Sequence, residues 1–168
     1  SSVTVVNNGT VGYVVGAGAE GKGSSVTVSN NGTAGSMDAT GSNGGDVTAT
    51  NSGVVENGVG INANGEGSKA ELINSGEANR IHGNANEGGT TSITNDGKVT
   101  GDGSAITITD PNSGESWNES SGVLNGRAEG EGSSVTVVNN GTVGYVVGAG
   151  AEGKGSSATV SNNGTAGR

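Results

Sequence analysis

Residues 1–35 recur almost letter for letter as residues 133–167; the one difference is Val26, which becomes Ala158. A repeat at an offset of 132 residues constrains the fold more than any single motif. Whatever one copy folds into must continue into the next. Recent duplication within a long repetitive gene leaves such identity behind. The chain therefore reads as one continuous array over residues 1–168. Residues 1–35 are the tail of one long unit, residues 36–167 are a complete unit, and the natural protein is expected to be longer.

A shorter period lies inside the long one. The phrase SVTVVNNGTVG at Ser2 returns as SVTVSNNGTAG at Ser25, then as DVTATNSGVV at Asp46, AELINSGEA at Ala70 and TSITNDGKV at Thr91. AITITDPNSGESW at Ala105 reads as the same phrase with extra residues, before SVTVVNNGTVG restarts at Ser134 and SATVSNNGTAG follows at Ser157. Marking the last inward strand residue gives Val5, Val28, Ala49, Leu72, Ile93, Ile108, Val137 and Val160. Their spacings are 23, 21, 23, 21, 15, 29 and 23, which predicts six coils per 132 residues at a mean of 22.

Within each phrase the side chains alternate, as strand residues do. Val3 and Val5 point one way, Thr4 and Val6 the other, and the next residue in phase with the valines is Asn7. That position reads Asn7, Asn30, Asn51, Asn74, Asn95, Asp110, Asn139 and Asn162. An inward amide recurring before a turn can bond the copies above and below it and satisfy the turn backbone. The Asn, Asp and Gly of the turn are expected to tolerate the left-handed backbone of a corner. The fold class expected is therefore all-β: a parallel β-solenoid of about 22 residues per coil, advancing roughly 29 Å per long unit.

Composition agrees with a thin core. With 36 glycines, one proline and no phenylalanine, the chain lacks the aromatics that fill a globular interior. No long stretch free of Gly and of Asn/Ser/Thr runs offers a helix. Disorder, the rival suggested by a net charge of −9, gives no reason for an in-phase Val-x-Val-x-Asn column. Dispersed acidity and seven scattered basic residues speak against nucleic acid and anionic membranes as partners. No run is long enough to span a membrane, and there is no cysteine.

The phrases TNSGVVENGVGIN at Thr50, INSGEANRIHGN at Ile73 and ITNDGKVTGDGSAITI at Ile93 resemble the repeats of bacterial autotransporter passengers and giant tandem-repeat surface adhesins. The resemblance covers nearly the whole chain and specifies a stacking unit. It implies a right-handed β-helix on a cell surface, serving adhesion, aggregation or biofilm formation. The partners it implies are a host or neighbouring-cell surface, a glycan, or identical chains end to end.

No catalytic constellation is expected, and no cofactor or metal site. His82 has no cysteine partner and reads as a solvated histidine in a glycine-rich corner. Glu71 and Glu77 flank one turn without the aligned carboxylates that glycan cleavage needs. Asn95-Asp96-Gly97 and Gly101-Asp102-Gly103 read as ordinary turns, not calcium loops. Two contact surfaces are candidates. One is the outward row Thr4, Thr27, Thr48, Thr50, Thr94, Thr107, Thr109, Thr136 and Thr159, a Thr-x-Thr array of the kind that binds ice, interrupted by Glu71 and Ile73. The other is Trp117, the only tryptophan, in the insertion DPNSGESWNESS; it either folds back over the side of the coil or stands out as a contact for glycan or partner.

Overall fold

The computed structural model describes residues 1–110 and 112–168; Pro111 lies outside the described residues. Among them there are strands and turns but no helix, so none is present that could cross a membrane.

The first coil is β1 (Ser2–Asn7) and β2 (Thr10–Glu20). The second is β3 (Ser25–Asn30) and β4 (Thr33–Ser42), the third β5 (Asp46–Asn51) and β6 (Val54–Asn64), the fourth β7 (Lys69–Asn74) and β8 (Glu77–Asn86). The fifth opens with β9 (Thr90–Asn95) and β10 (Lys98–Val99), leaves the stack as β11 (Ala105–Thr109) and β12 (Ser116–Ser120), and resumes as β13 (Val123–Glu129). A sixth follows as β14 (Ser134–Asn139), β15 (Thr142–Val143) and β16 (Val146–Glu152), and β17 (Ser157–Asn162) and β18 (Thr165–Ala166) begin a seventh.

Two parallel sheets wind around a narrow core. The first runs β1-β3-β5-β7-β9-β14-β17, and the second carries the longer strand of each coil. Pairing keeps the repeat in register: Asn7 lies beside Asn30, Asn30 beside Asn51, and so on to Asn139 beside Asn162. Val28, Ala49, Leu72, Ile93 and Val137 point inward from the first sheet and are buried. Met37, Val59, Ile61, Ile81 and Leu124 face them from the second. On the inner face Gly83 and Gly126 leave room for side chains that reach across from the first sheet. A Cβ on Gly83 would stand 2.5 Å from Ile93 Cδ1, and one on Gly126 would stand 2.6 Å from Val135 Cγ2.

The predicted solenoid is present, but the coil count per unit is five, not six. β9 pairs directly with β14, Asn95 against Asn139, so the spacings of 15 and 29 belong to a single coil. β11 joins no ladder of the solenoid; it pairs antiparallel with β12, placing Ile108 opposite Trp117. Its alternating AITIT copies the strand pattern, which says that a strand forms and not what it pairs with. The unit therefore advances about 24 Å, five strand spacings.

The insertion sits at a defined place. Every long strand slips register near its start, between Val11 and Val14, Ala34 and Ser36, or Val55 and Gly58. In the fifth coil, Val99 pairs with Ala78 and Val123 with Arg80, so the whole excursion leaves and returns at this bulge. A bulge already frees the ladder locally, and extra chain can exit there without breaking a rung.

The glycine of each Asn-Gly, Ser-Gly or Asp-Gly turn after the first is needed for a reason other than a left-handed backbone. Gly32, Gly53, Gly76, Gly97, Gly141 and Gly164 have no positive φ; instead, a Cβ on any of them would overlap the carbonyl oxygen of the equivalent residue one coil earlier. Outside the β11–β12 excursion, the left-handed residues lie at the opposite corner. Asn43 and Gly44 have φ of 52° and 91°, Glu87 and Gly88 of 49° and 90°, the signature of a type I′ turn.

Candidate functional site

The inward amides form one continuous chain of hydrogen bonds. Asn7 Nδ2 donates to Asn30 Oδ1 at 2.8 Å, Asn30 to Asn51 at 2.9 Å, Asn51 to Asn74 at 2.8 Å, Asn74 to Asn95 at 2.8 Å, Asn95 to Asn139 at 2.9 Å and Asn139 to Asn162 at 2.8 Å. Most of these Nδ2 groups also reach a backbone carbonyl of the next coil, such as Asn51 to Glu77 O at 3.0 Å. Asp110, expected in this column, is absent from it. It lies on the hairpin, where its carboxylate accepts from the Asn112 amide at 2.8 Å. The chemistry explains the exclusion: each rung must accept from one neighbour and donate to the other, and a carboxylate has nothing to donate.

Two outward faces result. On the first sheet, Thr4, Thr27, Thr48, Glu71, Ser92, Thr136 and Thr159 make one column. Val6, Ser29, Thr50, Ile73, Thr94, Val138 and Ser161 make the next. Thr107 and Thr109 do not belong to this face. They lie on β11, bonded to Asn118 at 3.0 Å and Ser116 at 2.9 Å, because the hairpin takes them out of the stack.

The second sheet's outward face is more varied. Asn84 donates to Asn62 Oδ1 at 2.9 Å and Asn86 to Asn64 Oδ1 at 2.7 Å, so polar side chains there also bond coil to coil. His82 lies on β8 rather than in a corner, half-buried, with Nδ1 against Asn125 Oδ1 of the paired strand. Beyond Asn125 a hollow of about 500 Å³ opens over Gly148 and Gly150, rimmed by Arg127 and Glu152, which pair with each other.

Asp38 is the exception among these polar groups. Its column neighbours are Gly16 and Gly60, so no side chain from an adjacent coil can reach across to it. It is exposed, yet it stands in a recess where thinned hydration raises its pKa above the ordinary carboxylate value; the Ala39 amide, donating to it, pulls the other way.

The hairpin makes that recess. Glu119 pairs with Arg80 at 3.2 Å, and Arg80 also reaches Ser120 O, pinning β12 over the second sheet. Between hairpin and sheet lies a groove of about 290 Å³, walled by Trp117 and Ile108 on one side and by Tyr13 and Val14 at the far end, with Asp38 and His82 on its floor. Trp117 does part of each thing expected of it: it lines the groove over the coil and remains 46% exposed. Tyr13 is 43% exposed, whereas its copy Tyr145 is packed against Gly103 at the hairpin's base, with Arg168 over its ring.

Tyr13, Asp38 and the Gly60 floor are the site residues that sequence reasoning missed. The signal was a carboxylate in an outward strand position, Met37-Asp38-Ala39, with glycine one coil to either side; seeing it requires the register of the bulged strand. Among the described residues, no three His, Cys, Asp or Glu side chains cluster as a metal site. No protein-family model, curated protein or solved structure matches this chain.

Proposed function

We propose that the chain is part of the structural and adhesive repeat region of an extracellular bacterial surface protein or fibre. The observation that carries this reading is the unbroken amide ladder running through two copies of one sequence. β14, the copy of β1, joins β9 on one side and β17 on the other in the register that β1 offers β3. A unit whose end accepts its own beginning extends into a rod, and a polar, acidic rod keeps that rod soluble. Its expected setting is a cell surface, and its work is to span distance and make contact, without catalysis.

Arrays of one, two and three units test the rod: maximum dimension from small-angle scattering should grow by about 24 Å per unit. Deleting the array from the parent gene tests the adhesive part. Unchanged attachment, aggregation and surface assembly would sink it.

The threonine columns support a second reading, ice binding, because exposed threonines repeat on a regular strand spacing of about 4.8 Å. Glu71 and Ile73 interrupt the face once per unit. An ice-shaping assay at high protein concentration decides it: growth of unmodified ice discs removes this reading.

A further inference from the structure

We propose that the groove between the β11–β12 hairpin and the second sheet binds a neutral saccharide. Trp117 and Tyr13 serve as stacking faces, and Asp38 accepts the sugar's hydroxyls. The inference deepens the adhesive reading and rests on it for its setting.

Elsewhere on this face the side chains bond coil to coil, as Asn62 and Asn84 do. Asp38 stands between Gly16 and Gly60, neither of which carries a side chain to engage it. Gly60 clears space over the backbone: no atom lies closer than 3.6 Å to where a Cβ on Gly60 would be, and that atom is the Asp38 carboxylate itself. A hydroxyl entering over Gly60 meets a carboxylate that no side chain of its column neighbours engages, its one protein donor being the backbone amide of Ala39.

The walls supply the rest. Trp117 is the chain's only tryptophan and one of its most exposed large apolar side chains, held in place by a hairpin that is tied down through Glu119 and Arg80. An aromatic ring offers large area at low entropic cost against the C–H face of a sugar. Trp117 and Tyr13 bound the same hollow from different elements. A volume of about 290 Å³ lies at the lower edge of ligand sites, which run roughly 300–1,000 Å³, and suits one or two sugar rings.

Charge selects among polar ligands. An anionic group would meet Asp38, Glu119 and a chain of net charge −9. A cation would meet the Arg80 guanidinium on the same floor. A neutral polyol opposes neither, and it can use both Asp38 and the ring nitrogen of His82 that is turned away from Asn125.

The single tryptophan is also the probe. The intact chain is applied to an array of neutral and acidic oligosaccharides, and binders are titrated while Trp117 emission and its quenching by acrylamide are followed. Neutral saccharides should shift the emission and shield the ring. By calorimetry, Trp117→Ala and Asp38→Ala should each weaken binding at least about tenfold, the scale of one aromatic or charge-assisted contact. Lys154→Ala, in an exposed turn away from the groove, should leave it unchanged. Three results overturn the proposal: no neutral saccharide binds, only acidic ones bind, or binding survives both groove variants. Attachment of beads coated with the chain to bacterial or host cells separates the two readings. Attachment without saccharide binding refutes the groove alone; saccharide binding without attachment refutes the adhesive reading alone.

Discussion

Replacing Asn74 with Ala tests what the amide ladder contributes. Asn74 is fully buried; its Oδ1 accepts from Asn51 at 2.8 Å, and its Nδ2 donates to Asn95 Oδ1 at 2.8 Å and to Lys98 O at 3.3 Å. Truncation leaves Asn51 with its second acceptor, Glu77 O, but strips Asn95 Oδ1 of its donor inside the core. One buried acceptor left unpaired costs about 1–3 kcal/mol. With the small void added, the expected loss is about 2–4 kcal/mol. Asn162, at the end of the ladder, is exposed and only accepts, from Asn139. Asn162→Ala should cost about 1 kcal/mol or less, a single hydrogen bond's net worth. Urea unfolding followed by far-ultraviolet dichroism measures both. Equal losses at the two positions would refute the argument that the ladder works through burial. Asn74→Asp adds a sign. The neutral acid can still donate to Asn95, and the carboxylate cannot, so its folded-state pKa is raised. That variant should be closest to the parent in acid and lose stability as pH rises through the ordinary carboxylate range, about 3.9, towards the raised value.

Other predictions follow from single contacts. Gly32→Ala should destabilise by several kcal/mol, since its Cβ overlaps Gly9 O, while Gly9→Ala, with nothing within 4 Å, should fall within about 0.5 kcal/mol of the parent; thermal melts of the pair decide it. Glu87 holds φ of 49° where Asn43 stands in the equivalent turn, so Glu87→Asn should stabilise by about 0.5–1 kcal/mol, and an unchanged or lowered urea midpoint counts against strain at that corner. Asp102 and Asp110 have lowered pKa values because turn hydroxyls and amides of the hairpin donate to them, chiefly Ser104 and Asn112. Their contribution is present above the ordinary carboxylate pKa and is lost as pH falls through the lowered values. Trp117 emission should therefore change below about pH 4 while the β-sheet dichroism persists, and simultaneous loss of both signals would contradict it. Replacing residues 100–122 with a single Asn, as Asn79 joins Ala78 to Arg80, should leave the solenoid folded; a chain that no longer folds would mean the hairpin is part of the core.

The solenoid was legible because its requirements are local and repeated. Val-x-Val-x-Asn gives a strand, an inward face and a rung in five letters, and recurrence at similar spacing gives the stack. The coil count was not legible, since Ile106 and Ile108 alternate with threonines as solenoid residues do. What separated the two cases was Asp110: a ladder needs a group that donates and accepts, so the one carboxylate in the column, between the two irregular spacings, marked the segment outside it. The glycines show the same limit, because a residue required for close approach between coils looks in sequence like one required for a left-handed turn.

The groove was the least legible feature, because it depends on which residues share a column and on what the insertion covers. Tyr13 and Tyr145 make the point. They sit in identical sequence, yet Tyr145 packs at the base of a hairpin while Tyr13 stands open at the far end of the groove beneath one. Identical coils can differ only through what is not repeated around them. In a chain whose repeats specify stacking, specificity for a ligand must come from the departures: the 22 extra residues between Val99 and Val123 relative to Ala78 and Arg80, and the single carboxylate between two glycines. The hairpin and Asp38 meet at one place on the rod, and each unit of 132 residues would present that place once, on the same side wherever the coils stay in register.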